Sequence, residues 1–165
     1  MDTKTIIVTL VTDRTQADVE RVKALAAKGF ADMTAGERAE WLAGMKGAYN
    51  ASDMNRVGTA LNYLAGRLGP ICGKSITWTA KTDWAVTDII TASQAAEYRQ
   101  QIQDIRDALA YPAGTPDAPE LARLTYTDAN NIERILKLCE DLIINVAKSF
   151  RYTGVAECAA GGLLT

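Results

Sequence analysis

The residues of this chain that could do chemistry are few and scattered. Gly73-Lys74-Ser75 carries the tripeptide that closes a phosphate-binding loop, Cys72, Cys139 and Cys158 are the thiols, and histidine is absent. A phosphate loop needs a second glycine upstream, where Leu68 stands, with a strand before it and a helix after. Here a helical pattern precedes and the strand-like SITWTA follows, so the tripeptide reads as a turn. Without histidine there is no Ser-His or Cys-His nucleophile pair, and the commonest general base is missing. Three cysteines lacking Cys-x-x-Cys spacing suggest neither a zinc site nor a disulfide framework. Carboxylates number 20 against 18 Lys and Arg, yet no pair stands apart as an acid–base couple. The sequence points away from an enzyme and assigns no catalytic, cofactor-binding or metal-binding residue.

What remains is contact chemistry. Trp41, Trp78 and Trp84 could stack on a sugar, but residues of this size more often anchor a core or an interface. Lys46, Arg56, Arg67, Lys74 and Lys81 could form a basic patch. A net charge of −2 instead favours a solvated face and argues against nucleic acid as a partner. The interaction candidates are Trp41, Lys46, Tyr49, Arg56, Trp78 and Trp84, joined by Ile144 on the last helix. No apolar run approaches the ~20 residues that span a bilayer, and the first twenty residues lack a signal-peptide core, so a membrane role is not expected.

These residues are positioned by helices, and the stretch Trp41–Leu68 fixes most of the arrangement. Gly44 and Gly47 make a corner where at least one positive φ is expected. Asn50 is placed to cap the next helix, with Asp53 in its first turn. Met54, Val57, Leu61, Leu64 and Leu68 then form one apolar stripe on a helix of about five turns. The entries at Asp18, Asp53 and Asn131 share one residue pattern, but their unequal spacing rules out a solenoid repeat. They read as repeated helix starts, with Asp18–Arg21 and Asp53–Arg56 pairing at i, i+3.

Along the chain, the β-branched run Thr5–Val11 predicts a short strand. Thr15 opens a helix with Val19, Val22, Leu25 and Ala26 on one face, ended by Gly29. Thr34 and Glu37 form a capping box. Ile76, Trp78 and Ala80 alternate, then Trp84 and Val86, predicting a hairpin over 75–87 that adds to the N-terminal strand. Thr91 and Gln94 cap a helix carrying Tyr98, Ile102, Ile105 and Leu109. Pro112, Gly114, Pro116 and Pro119 make 111–120 a semi-rigid connector. Thr125 and Asp128 open a final helix of about 24 residues, with Ile132, Ile135, Leu136, Cys139, Leu142, Ile143, Val146 and Phe150 inward. Gly154 is expected to stop it, leaving 154–165 as an extended tail. The fold class is mainly α: a single domain, 1–165, holding a helical bundle of three long and two short helices with a minor antiparallel β element. Leu138, Leu142, Ile143, Ile144 and Val146 spread round the last helix, so a second copy of the chain is expected to cover it.

Three stretches, WLAGMKGAYNASDMNRVGTALNYLAGRL, KTDWAVTDIITASQ and LTYTDANNIERIL, together resemble a family of prophage-encoded proteins of Gram-positive bacteria. The resemblance runs from about Thr12 to Phe150. It implies a tail-, baseplate- or minor structural protein of the virion, made in the host cytoplasm and contacting other virion proteins. It supplies no catalytic residue. The resulting expectation is a non-enzymatic, oligomeric module of a tail apparatus. The alternative is a cytoplasmic helical adaptor that binds a host or phage protein.

Overall fold

The computed structural model describes residues 3–162, with side chains for residues 6–150. The chain is mainly helical: α1 (Thr3–Val8), α2 (Gln16–Lys28), α3 (Ala35–Ala43), α4 (Ala51–Cys72), α5 (Ala92–Asp107) and α6 (Tyr126–Gly162), with single 3-10 turns at Phe30–Asp32 and Leu121–Arg123. The starts follow from local chemistry. Thr15/Asp18, Thr34/Glu37, Asn50/Asp53 and Thr91/Gln94 each form a reciprocal capping box. Thr125 and Asp128 exchange the same bonds ahead of α6. Each satisfies amides that a helix start leaves without partners.

Two glycines make the corner before α4 for different reasons. Gly44 ends α3 at φ 86°, where a side chain would be strained. A Cβ on Gly47 would lie 2.1 Å from the Asp18 carbonyl oxygen, so the corner backbone rests directly on the start of α2. Residues 15–47 hold a small core of their own, with Leu25, Met33 and Met45 buried and Val22 and Trp41 packed against them.

The main core lies between α4, α5 and α6. Val57, Leu61, Leu64 and Leu68 of α4 meet Tyr98, Ile102 and Ile105 of α5 and Ile132, Ile135, Leu136, Cys139 and Ile143 of α6. Helices α4 and α6 run in the same direction. Arg56 bonds Glu133 and Tyr63 bonds Glu140, each pair 77 residues apart. Helix α5 shares this direction, since residues 79–84 line one groove with Gln94, Tyr98 and Gln101 while 73–78 line another with Asp104 and Asp107. Parallel neighbours require a return path after each helix. Extended backbone covers about twice the distance per residue of a helix, so segments 74–84 and 111–124 run back along the bundle as straps.

The straps replace the expected β element. Among the described residues there is no strand. Ile76, Trp78 and Ala80 do alternate inward, with residues 77, 79 and 81 exposed; Thr82 breaks the pattern by being exposed too, and Trp84 turns inward again. The backbone bonds, however, go to side chains. Asn62 accepts from the Ala80 N–H at 2.7 Å and donates to its carbonyl at 2.9 Å. Asn55 does the same for Trp84 at 2.7 and 2.9 Å. Gln103 and Arg99 take the N–H and carbonyl of Ala118 in the second strap. Each amide side chain mimics the edge of a neighbouring strand, so the buried backbone is paired without a sheet.

Other boundaries differ from expectation. Thr5–Val11 is not a strand: helix α1 runs through Val8, and Ile6 and Ile7 pack on the main core. Packing overrides the β-branched preference here. Helix α4 continues beyond Leu68 through Pro70 to Cys72, where Gly73 at φ 66° closes it. Gly154 does not end α6, which runs to Gly162, so 154–162 is helical; residues 163–165 lie outside the described set. Phe150, expected inward, is 65% exposed.

Candidate functional site

The most concentrated chemistry is a buried ionic centre where three parts of the chain meet. Arg14, 4% exposed, reaches inward from the arm between α1 and α2. It donates to Asp53 at 2.8 Å and to Glu133 at 2.6 Å. Arg56, one turn along α4, donates to Glu133 at 2.8 and 3.1 Å and also to Asp53. The arm is fixed independently by Asn130, which accepts from the Arg14 N–H at 3.0 Å and donates to its carbonyl at 2.9 Å.

Two cations and two carboxylates cancel, and that balance is what makes burial of four charges tolerable. Both Glu133 oxygens are occupied, Oε1 by the two guanidinium groups and Oε2 by Arg56 and the Val11 N–H. A carboxylate so saturated has no free lone pair directed at a substrate proton. Burial pulls the Arg56 pKa down, but the hydrogen bonds and charge of Glu133 outweigh it and raise it overall. Tyr49 lies under the Arg14 guanidinium, 5.7 Å from ring centroid to carbon, and shares a 2.6 Å hydroxyl contact with Tyr98. Burial raises the pKa of both phenols.

Tyr98 also floors a groove of about 460 Å³ between the first strap and α5. Residues 79–84 form one wall, and Gln94, Glu97 and Gln101 the other. A second depression of about 410 Å³ lies at the far end, lined by Lys74, Ser75, Trp78, Asp104 and Asp107 among others. That end settles the chemistry of Gly73-Lys74-Ser75. The tripeptide follows the C-terminus of α4, where carbonyls gather, and the Lys74 N–H is used by the Leu68 carbonyl at 3.1 Å. Phosphate is bound by helix N-termini, and two aspartates beside Lys74 add repulsion. Among the described residues no group of His, Cys, Asp and Glu could hold a metal ion, and no helix is long and apolar enough to cross a membrane.

The sequence-derived candidates separate into four places. Tyr49 and Arg56 belong to the ionic centre. Trp84, 8% exposed, forms the groove wall, and Trp78 packs on the core while its indole donates to Asp104 at 2.7 Å. Trp41 is half-buried in the small core beside α2, and Lys46 is exposed and pairs with Asp13 at 2.9 Å. Ile144 is half-buried on α6, remote from the groove. The three tryptophans therefore do not form one stacking surface, nor do the cations form one patch: Arg67 is taken by Glu140 and Lys81 by Asp88. The entry pairing also holds only once. Asp53 meets Arg56, whereas Asp18 caps Thr15 and Arg21 reaches Glu40 at 2.8 Å.

Arg14, Glu133, Asn130, Asn55, Asn62 and Gln101 were not legible as site residues. Asn55 and Asn62, seven residues apart and thus two turns along one helix face, flank Gly58; that spacing was the available signal. Compared with known proteins, the chain matches no family model, no curated protein and no solved structure.

Two of the outward-facing apolar surfaces among the described residues bear on function. Val86 and Ile89 are 96% and 90% exposed on the loop joining the first strap to α5. Asp88 holds that loop, accepting from Lys81 at 3.0 Å and from the Ala85 N–H at 3.1 Å. The other is the distal part of α6, where Leu142, Ile144 and Val146 are half-buried and Phe150 is exposed.

Proposed function

We propose that the protein is a non-enzymatic structural and interaction module of a phage or prophage tail apparatus, working as a homo-oligomer in contact with other virion proteins. The observation that carries this reading is the register of α4 and α6. The 77-residue offset brings Cys72, the last residue of α4, level with Ser149, while α6 continues to Gly162. The remaining thirteen residues extend roughly 20 Å past the end of α4. Phe150, level with the end of α4, stands 65% exposed, and an exposed aromatic of this size suits a helix–helix contact. A second copy contributing its own α6 supplies a partner for it. The resemblance of residues 12–150 to tail and baseplate proteins supports the virion setting.

Sedimentation equilibrium over a hundredfold concentration range tests the assembly. We expect a concentration-dependent species above 17.8 kDa, returned to monomer by truncation after Ser149; one 17.8 kDa species throughout overturns self-association. Co-purification with assembled particles supports the tail setting, and confinement to the soluble lysate favours the second reading. That reading, a cytoplasmic helical adaptor, draws on the loop of Val86 and Ile89, whose rigid apolar presentation suits a protein partner.

A further inference from the structure

We propose that the groove between strap residues 79–83 and α5 binds an extended peptide segment of a partner protein, one that carries a basic side chain. The wall of the groove offers an unused backbone edge. Ala80 and Trp84 give both of their backbone groups to Asn62 and Asn55. Extended backbone turns successive residues to opposite edges. Thr79 therefore faces away from α4, and among the described residues its N–H and carbonyl, the Lys81 N–H and both groups of Asp83 make no hydrogen bond; the Lys81 carbonyl departs from this pattern and lies against Gly58 of α4. Five strap residues span about 16 Å, enough for a short strand to pair alongside.

Each wall also carries a polar side-chain group without a partner. Gln101 is 4% exposed and donates to Glu97 at 3.3 Å, while its carbonyl oxygen accepts nothing among the described residues. The indole N–H of Trp84 is likewise buried without an acceptor. The Gln101 oxygen remains open to the groove, where it can accept a ligand's amide N–H. Peptide backbone supplies both a donor and an acceptor at every residue, matching strap and glutamine together.

Charge and shape narrow the ligand. Lys81 is engaged by Asp88, so Asp83 and Glu97 leave the groove acidic, which selects against phosphates and nucleic acids and for Lys or Arg. A sugar would need an open aromatic face. Trp84 is 8% exposed and the Lys81 ammonium sits 4.2 Å from its ring centroid, so none is offered. This inference stands apart from the α6 contact, and either can fail without the other.

The test is a displayed library of random peptides panned against the immobilised full-length chain, followed by titration of the selected peptides into isotope-labelled protein. Selected sequences should contain Lys or Arg. Binding should shift the amide resonances of Thr79, Lys81 and Asp83 and slow their hydrogen exchange, while the Ala80 and Trp84 amides stay as they are. Glu97→Lys, an exposed change checked for an unaltered melt, should weaken binding roughly tenfold or more. Failure to select any peptide over an unrelated control protein overturns the proposal. So does selection of peptides that bind Glu97→Lys equally well or shift amides elsewhere.

Discussion

Gly58 of α4 lies directly against the carbonyl oxygen of Lys81: a Cβ at residue 58 would stand 2.2 Å from it. The strap can approach the helix this closely because Gly58 sits midway between Asn55 and Asn62, whose amides hold the same strap at Trp84 and Ala80. Absence of a side chain at one position and presence of an amide at two others define a single device.

That device predicts opposite outcomes for two similar substitutions. Alanine is favoured over glycine in a helix interior by about 1 kcal/mol, and at Gly66, where a Cβ would meet nothing within 4 Å, the gain should appear. Gly58→Ala should instead lose about 1–2 kcal/mol, because backbone cannot step aside and overpacking costs more than propensity returns. Urea unfolding of the two variants measures both. If Gly58→Ala is as stabilising as Gly66→Ala, the strap does not rest on α4.

Asn62→Leu should destabilise the chain by about 1–3 kcal/mol, since Ala80 is buried and both its backbone groups would lose their partners. Hydrogen exchange should rise at Ala80 before it rises in α4. An unchanged denaturant midpoint would show that the clamp contributes nothing.

Arg14→Ala should be the most damaging single change of this set, by about 3–5 kcal/mol, because Asp53 and Glu133 would stay buried with only Arg56 to balance them. Arg38→Ala, which removes an exposed guanidinium bound to the Phe30 and Ala31 carbonyls, serves as the control. Equal chemical-denaturation midpoints for the two variants would mean the ionic centre is not holding the N-terminal arm.

The small unit of α2 and α3 should lose stability in acid. Hydrogen bonds from Lys28 and from the Thr34 backbone lower the Glu37 pKa from 4.5 to about 2. Asp18 is lowered by its bonds to Thr15, and Glu40 by Arg21. Each of these groups binds a proton more readily when unfolded, so its stabilising contribution is complete above the unfolded pKa and is lost as pH falls through the folded one. For Glu37 that window runs from 4.5 down to about 2. An NMR titration of the Glu37 carboxyl with a midpoint near 4.5 would contradict this.

The capped starts were legible because caps are local: Thr15, Thr34, Asn50, Thr91 and Thr125 each announce themselves within four residues. A positive φ at one of Gly44 and Gly47 was legible for the same reason, and Gly44 carries it; so was the alternation of Ile76, Trp78 and Ala80. The strap's bonding partners were not. An alternating run implies backbone groups in need of partners, and a strand is the usual supplier. Here Asn55 and Asn62 supply them from a helix, a long-range choice that alternation cannot encode. Arg14 was hidden likewise, since nothing near it in sequence signals a carboxylate 119 residues away. The helix ends misled through composition: Gly69-Pro70 suggested an earlier stop for α4, and Gly154 for α6.

The parallel course of α4 and α6 has a consequence for how the chain reaches this state. An ordinary up-and-down bundle closes each helix pair through a short turn, so its contacts are local and it folds quickly. Here the Arg56–Glu133 and Tyr63–Glu140 pairs each close a loop of 77 residues, adding roughly 2 kcal/mol of closure entropy over a five-residue turn. Helical in content, the molecule has the long-range wiring of a parallel α/β domain, and its folding rate should be governed by that wiring rather than by the speed of helix formation.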